Sequence, residues 1–282
     1  MNTARRASVR HWAKSAIATV AFGLGMFTTV AGAQDLAPQI RNADVALPAG
    51  VAGAGVFQGK FEAIPAAASQ NARRVALVIF LHGSSGLNDN IRSFQKWLAE
   101  DLGIASIAPD SFAVPGRITY TSPVAKDIYE QVHALREAEI GAALDATAKL
   151  PWVDDSKLFL AGTSEGAVSV ARWKAREFAG RLIYAWSCEN NYHVDQPRNG
   201  FGPQDAVLNV ISGDDPYFSP KNEWNKGYPI KGHCADALKD DRSAQVVLIP
   251  NAPHTLFNLP AARSLTAGFI GPLAGKAMAS AR

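Results

Sequence analysis

The stretch Leu158-Phe-Leu-Ala-Gly162-Thr-Ser164-Glu-Gly166-Ala decides how the rest of this sequence is read. A short apolar run ends in Gly-x-Ser-x-Gly, and a helix-compatible stretch follows from Ala167 to Ala179. This is the layout of a nucleophile elbow, in which a strand turns sharply into a helix and lifts a serine above the sheet edge. Glycines flank the serine because a Cβ there would strike neighbouring backbone. The helix N-terminus beyond it offers free N–H groups and a dipole that favour developing negative charge. With 23 glycines in the chain the pentapeptide alone is weak, so its placement after an apolar run carries the weight.

Working outward, strand-like and helix-like segments alternate. Val75–Leu81 is a continuous apolar run of the kind buried on both faces of a parallel sheet. Asn88–Leu102 places Ile91, Phe94, Trp97, Leu98 and Leu102 at a helical period. Further strands are expected at 104–109, 182–186, 206–212 and 245–249, with an edge hairpin within 55–64. Helices are expected over about 124–150 and 261–279. The alternation predicts a doubly wound, mostly parallel sheet with helices on both faces, whose active site lies at the carboxyl ends of the strands.

An acid and a histidine follow the serine in order. Val207–Gly213 runs into Asp214-Asp215-Pro216, and Pro253-His254-Thr255 follows the last predicted strand. Asp215 is the preferred acid because Asp-Pro precedes the aromatics Tyr217 and Phe218; Asp214 is the alternative. Of the six histidines only His254 lies beyond the last strand. In this arrangement His254 relays a proton for Ser164 while the aspartate fixes the imidazole tautomer. The oxyanion donors are expected to be the backbone N–H groups of Glu165 and of Ser84, in His82-Gly83-Ser84-Ser85-Gly86 after the first buried strand. His82 is read as holding that loop. The Glu165 side chain either projects into the site or caps the following helix. Arg117 is read as a loop charge or a partner for a substrate carboxylate. The loops 188–204 and 217–232, rich in Asn, Tyr, Trp and Pro, either wall the pocket or cover the sheet edge.

These pieces resemble the dienelactone hydrolase family of α/β-hydrolases. The matching motifs are Leu81-His82-Gly83, Ala108-Pro109-Asp110-Ser111-Phe112, Gly162-Thr-Ser164-Glu-Gly166, Gly213-Asp-Asp215-Pro and Pro253-His254-Thr-Leu-Phe257-Asn258. The resemblance spans about residues 55–275 and implies an α/β-hydrolase fold that hydrolyses small-molecule esters or lactones without cofactor or metal. Ser164 departs from the cysteine nucleophile of the family's type member, so dienelactone itself is not implied. Related chains act as peptidases or acyltransferases. A fold-only binding protein is the remaining alternative.

Residues 1–33 read as an export leader: Arg5, Arg6, Arg10 and Lys14 precede an uncharged run from Ala16 to Val30, and Ala31-Gly32-Ala33 offers a cleavage site. That run is too diluted by Ala, Gly and Thr to be a retained span. A periplasmic or secreted protein follows, with residues 34–54 expected as a loose arm and 55–282 as the catalytic domain. In an oxidising compartment Cys188 and Cys234, the only cysteines, are expected to pair. The formal net charge of +3 falls once the basic leader leaves, and no basic stripe remains for nucleic acid.

Overall fold

The computed structural model describes residues 35–70 and 73–275. The export leader expected over 1–33 lies outside the described residues. The strands are β1 (Asp44–Leu47), β2 (Phe57–Lys60), β3 (Val75–Leu81), β4 (Ala105–Ala108), β5 (Val153–Thr163), β6 (Gly180–Tyr184), β7 (Val207–Ser212) and β8 (Gln245–Ile249). They form one sheet in the order β2-β1-β4-β3-β5-β6-β7-β8. Strands β3 to β8 pair parallel, while β1 runs antiparallel to both β2 and β4. The helices are α1 (Ala37–Arg41), α2 (Ala66–Ser69), α3 (Asp89–Asp101), α4 (Lys126–Thr147), α5 (Glu165–Arg172) and α6 (Pro260–Leu273).

The alternation of side chains along β3 builds two cores. Val75, Leu77, Ile79 and Leu81 point to one face and pack with Ile140 and Ala143 of α4 and with Ala167, Val168 and Val170 of α5. Ala76, Val78 and Phe80 point to the other and meet Phe94, Trp97 and Leu98 of α3 and Phe269 and Ile270 of α6. The central strand is thus buried on both sides, as its unbroken apolar run requires. Asn88 starts α3 by accepting hydrogen bonds from the N–H groups of Asn90 and Ile91.

Two expectations need correction. The stretch expected as a loose arm over 34–54 holds a strand instead: β1 sits inside the sheet between β2 and β4, and all four of its residues are buried. Its polar lead residue is fixed there, since Asp44 pairs with Lys60 at 2.7 Å and Arg92 at 2.9 Å. The run Val45-Ala-Leu47 is short and set among Ala and Gly, so its tertiary pairing rather than its pattern makes it a strand. The helix after the elbow ends at Arg172 rather than near Ala179. Contacts from outside hold the chain in a non-helical path there: Gly200 N–H donates to Ala171 O at 2.7 Å, and the Arg181 guanidinium of β6 donates to the carbonyls of Trp173 and Ala175, just past the helix end. A Cβ on Gly200 would stand 2.4 Å from Trp173 O, so only glycine permits that approach.

Cys188 and Cys234 form a disulfide, with Cα atoms 4.8 Å apart across 46 positions of sequence. It clips the loop after β6 to the segment before β8. Asn209 of β7 supports the same junction, donating to Ile183 O and Trp186 O and accepting from Cys234 N–H. No helix among the described residues is long and apolar enough to cross a membrane. Closing a loop of this length constrains the unfolded chain by about 4 kcal/mol on the chain-entropy account. Replacing both cysteines by alanine should lower the urea-derived unfolding free energy by an amount of that order; a loss below about 1 kcal/mol would show that the bridge adds little.

Candidate active site

Ser164 sits directly after β5 with φ 53° and ψ −121°, a left-handed conformation that costs an ordinary residue energy. Close packing holds it there. A Cβ on Gly162 would meet the backbone of Gly166 at 2.8 Å, and one on Gly166 would meet Leu81 O at 2.3 Å and His82 O at 2.6 Å. Ser164 N–H donates to Tyr184 O at 3.0 Å, tying the turn to β6.

The structure separates the two aspartates expected after β7. Asp215 is fully buried, and its Oδ2 lies 2.7 Å from His254 Nδ1. Its Oδ1 accepts from the N–H groups of Tyr217 at 2.9 Å and Phe218 at 3.0 Å, which fixes the carboxylate plane. Asp214 instead faces outward and pairs with Lys221. Ser164 and His254 line one cavity of about 420 Å³. Among the described residues no hydrogen bond joins the two side chains; such contacts commonly tighten only when substrate is in place.

Ser84 and Glu165 line the same cavity. Glu165 opens α5, so its N–H has no partner within the helix. Ser84 is exposed within a turn closed by the Gly86 N–H to Gly83 O bond at 3.1 Å. His82 holds this loop, as expected from the sequence. Ser111 N–H donates to His82 Nε2 at 3.1 Å, so the proton sits on Nδ1, which donates to Gly83 O at 2.6 Å. Burial, aided by the Arg136 charge, keeps this ring neutral by lowering its pKa well below the ordinary value.

The side chain of Glu165 neither stands free in the site nor caps α5. Its Oε1 takes Arg117 at 2.8 Å and Arg136 at 3.4 Å, and its Oε2 accepts from Tyr120 O–H at 2.7 Å. Arg136 also pairs with Glu139 at 2.9 Å and donates to His82 O at 3.1 Å. Burial first, and then the Glu165 charge, raise the Tyr120 pKa, so its hydroxyl stays a donor. Arg117 is therefore neither a solvated loop charge nor free to meet a substrate: its side chain is 2 % exposed, and it is spent on Glu165, Ser111 Oγ and Ile118 O.

Arg136, Tyr120, His133 and His193 are site residues that the motifs did not reveal. Arg136 and His133 lie in the buried stripe of α4 with Tyr129, Val132, Ile140 and Ala143, so a charged residue at a core position of the helical period was the available signal. His193 lies in a crossover loop with no comparable pattern. Its ring is met edge-on by Tyr129 at 5.2 Å, Tyr192 at 5.3 Å, Phe218 at 5.5 Å and Trp224 at 5.7 Å.

No protein-family model matches the sequence, and no curated protein matches it. Solved structures do. A dienelactone hydrolase-like promiscuous phosphotriesterase from metagenomic libraries aligns with TM-score 0.53 and 21% identity, over 73% of this chain and 88% of that one. A phospholipase/carboxylesterase from Dyadobacter fermentans aligns with TM-score 0.50 and 19% identity, over 71% and 91%. A thermophilic esterase from Thermogutta terrifontis aligns with TM-score 0.50 and 13% identity, over 74% and 86%.

Burial of three histidines predicts how stability follows pH. His82, His133 and His193 are all lowered, chiefly by desolvation, and His193 falls from 6.5 to about 4. Each stays neutral in the folded chain while the unfolded chain takes up a proton below 6.5, so stability is complete above that pH and is lost as pH falls toward 4. Urea unfolding at pH 7 and pH 5 should show this drop, and His193→Gln should make it smaller. An identical drop in the variant would contradict the assignment. With the two-faced, mostly parallel sheet, the elbow and these structural matches together, the chain has the α/β-hydrolase fold.

Proposed function

We propose that this chain is an exported serine hydrolase of the dienelactone hydrolase-like family, cleaving small-molecule carboxylic esters or lactones. The observation that carries the reading is the buried Asp215 carboxylate bonded at 2.7 Å to His254, opening on the cavity that Ser164 also lines. Asp215 can orient an imidazole and stabilise its protonated form because its other oxygen is already fixed by two backbone donors.

In the proposed reaction Ser164 Oγ attacks the acyl carbon while His254 accepts its proton. The carbonyl oxygen takes up negative charge, and the N–H groups of Glu165 and Ser84 stabilise it. His254 then protonates the leaving alkoxide as the carbon–oxygen bond breaks. Water, deprotonated by the same ring, attacks the acyl-enzyme, and loss of Ser164 Oγ releases the acid. The Glu165 carboxylate takes no proton in this scheme. It anchors the residue whose N–H faces the oxyanion, and through Arg117 and Tyr120 it anchors the 110–123 loop as well.

The export reading rests on the sequence of residues 1–33, with cleavage after Ala33, and is supported by the disulfide. The catalytic domain then begins with α1 rather than at residue 55.

Kinetics on a simple ester such as 4-nitrophenyl acetate test the assignment. Ser164→Ala should lower kcat/KM by roughly 10⁴-fold or more, and Asp215→Asn by about 10⁴-fold. Asp214→Asn should change it less than about threefold, because its partner is a surface lysine. Equal losses at Asp214 and Asp215, or activity retained in Ser164→Ala, would refute the triad.

A further inference from the structure

The cavity walls constrain what the ester carries. Beyond the reacting groups one side of the cavity carries a cluster of aromatic rings, and small polar residues such as Ser85, Thr121 and Ser122 line the rest. The ring of Tyr217 stands 4.6 Å from that of His254, His193 stands 6.1 Å from Tyr217, and Tyr129 and Trp224 lie 5.2 and 5.7 Å from His193. These rings, with Phe218, form a continuous group that starts at the proposed general base and runs along the cavity wall. Tyr217 and Trp224 remain 39 % and 37 % exposed, so the group is not closed over as a core would be.

Among the described residues the same walls carry a carboxylate, Glu165, but no lysine or arginine. The guanidinium groups bonded to the Glu165 network, Arg117 and Arg136, are taken up by Glu165 and Glu139. His133 and His193 add polar surface without charge, since burial holds both rings neutral. A substrate carboxylate would lose its hydration here and gain no cation. A planar ring would meet edges and faces suited to offset and edge-to-face contact.

We propose that the preferred ester carries an uncharged aromatic ring, on its acyl or its alcohol side, held against Tyr129, His193, Tyr217, Phe218 and Trp224. This rests on the hydrolase reading and narrows it to aromatic esters, away from carboxylate-bearing lactones.

Matched substrate pairs test it without confounding leaving-group acidity. Benzyl acetate is compared with cyclohexylmethyl acetate for the alcohol side, and methyl phenylacetate with methyl cyclohexylacetate for the acyl side. In at least one pair kcat/KM should favour the aromatic member by about tenfold, equivalent to several ring–ring contacts. Trp224→Leu should bring that ratio toward one, and methyl 4-carboxyphenylacetate should be turned over at least about tenfold more slowly than methyl phenylacetate. Ratios near one in both pairs would overturn the proposal. So would a ratio untouched by Trp224→Leu, or a carboxylated ester hydrolysed as well as its neutral parent. The same pairs are titrated by calorimetry into Ser164→Ala protein, which reads the ring preference without turnover. A wild-type chain that hydrolyses none of these esters, while Ser164→Ala protein binds the aromatic members about tenfold more tightly, would refute the hydrolase reading and leave the aromatic preference standing.

Discussion

The clearance at two glycines is the constraint on which the site depends. Gly166 lies so close to the end of β3 that a Cβ would stand 2.3 Å from Leu81 O, far inside van der Waals contact, and Gly162 is pressed in turn against Gly166. This contact lets β5 turn into α5 within a residue and forces Ser164 to positive φ. It also sets the first N–H groups of α5 beside the loop that follows β3. The register Leu81↔Gly162 between β3 and β5 delivers both partners to the same level of the sheet. Strain at Ser164 is thus held by two strands and a helix that all have apolar reasons to be where they are.

Beneath the site lies a buried ionic layer of Glu165, Arg117, Arg136 and Glu139, with Tyr120 and His82 bonded to it. Buried ion pairs stabilise little against apolar substitutes of the same shape, but a broken one leaves an uncompensated charge. What this layer provides is geometry. It joins α5, α4, the loop after β3 and the 110–123 loop through the residue next to the proposed nucleophile. No lysine or arginine is among the described residues that line the cavity, and its aromatic rings come from Tyr129 of α4 and from His193, Tyr217, Phe218 and Trp224 in the loops that the Cys188–Cys234 bridge clips.

Much of this was legible in the sequence because strand ends carry punctuation. Ser164, Asp215 and His254 each follow an apolar run by at most a few residues, and the structure joins the last two by a hydrogen bond. Asp215 was distinguished from Asp214 only by the turn it opens, and the Tyr217 and Phe218 N–H groups bonded to its Oδ1 are that turn. Strand β1 was hidden because four residues among Ala and Gly have too little pattern to declare a buried strand. Helix α5 stops short of Ala179 because Gly200, 29 positions on, takes the Ala171 carbonyl and Arg181 of β6 takes those of Trp173 and Ala175, contacts that the helical pattern of the stretch does not show. Arg117 and Glu165 lie 48 positions apart, and no local rule pairs them.

The proposed activation of Ser164 rests on packing at the elbow together with the Asp215–His254 pair. Reaction of the folded chain with a fluorophosphonate, mapped by mass spectrometry, tests it most directly. The expected result is one adduct per chain, on Ser164, with labelling strongly slowed in His254→Ala. A well-folded protein left unlabelled, or labelled at another residue, would contradict it.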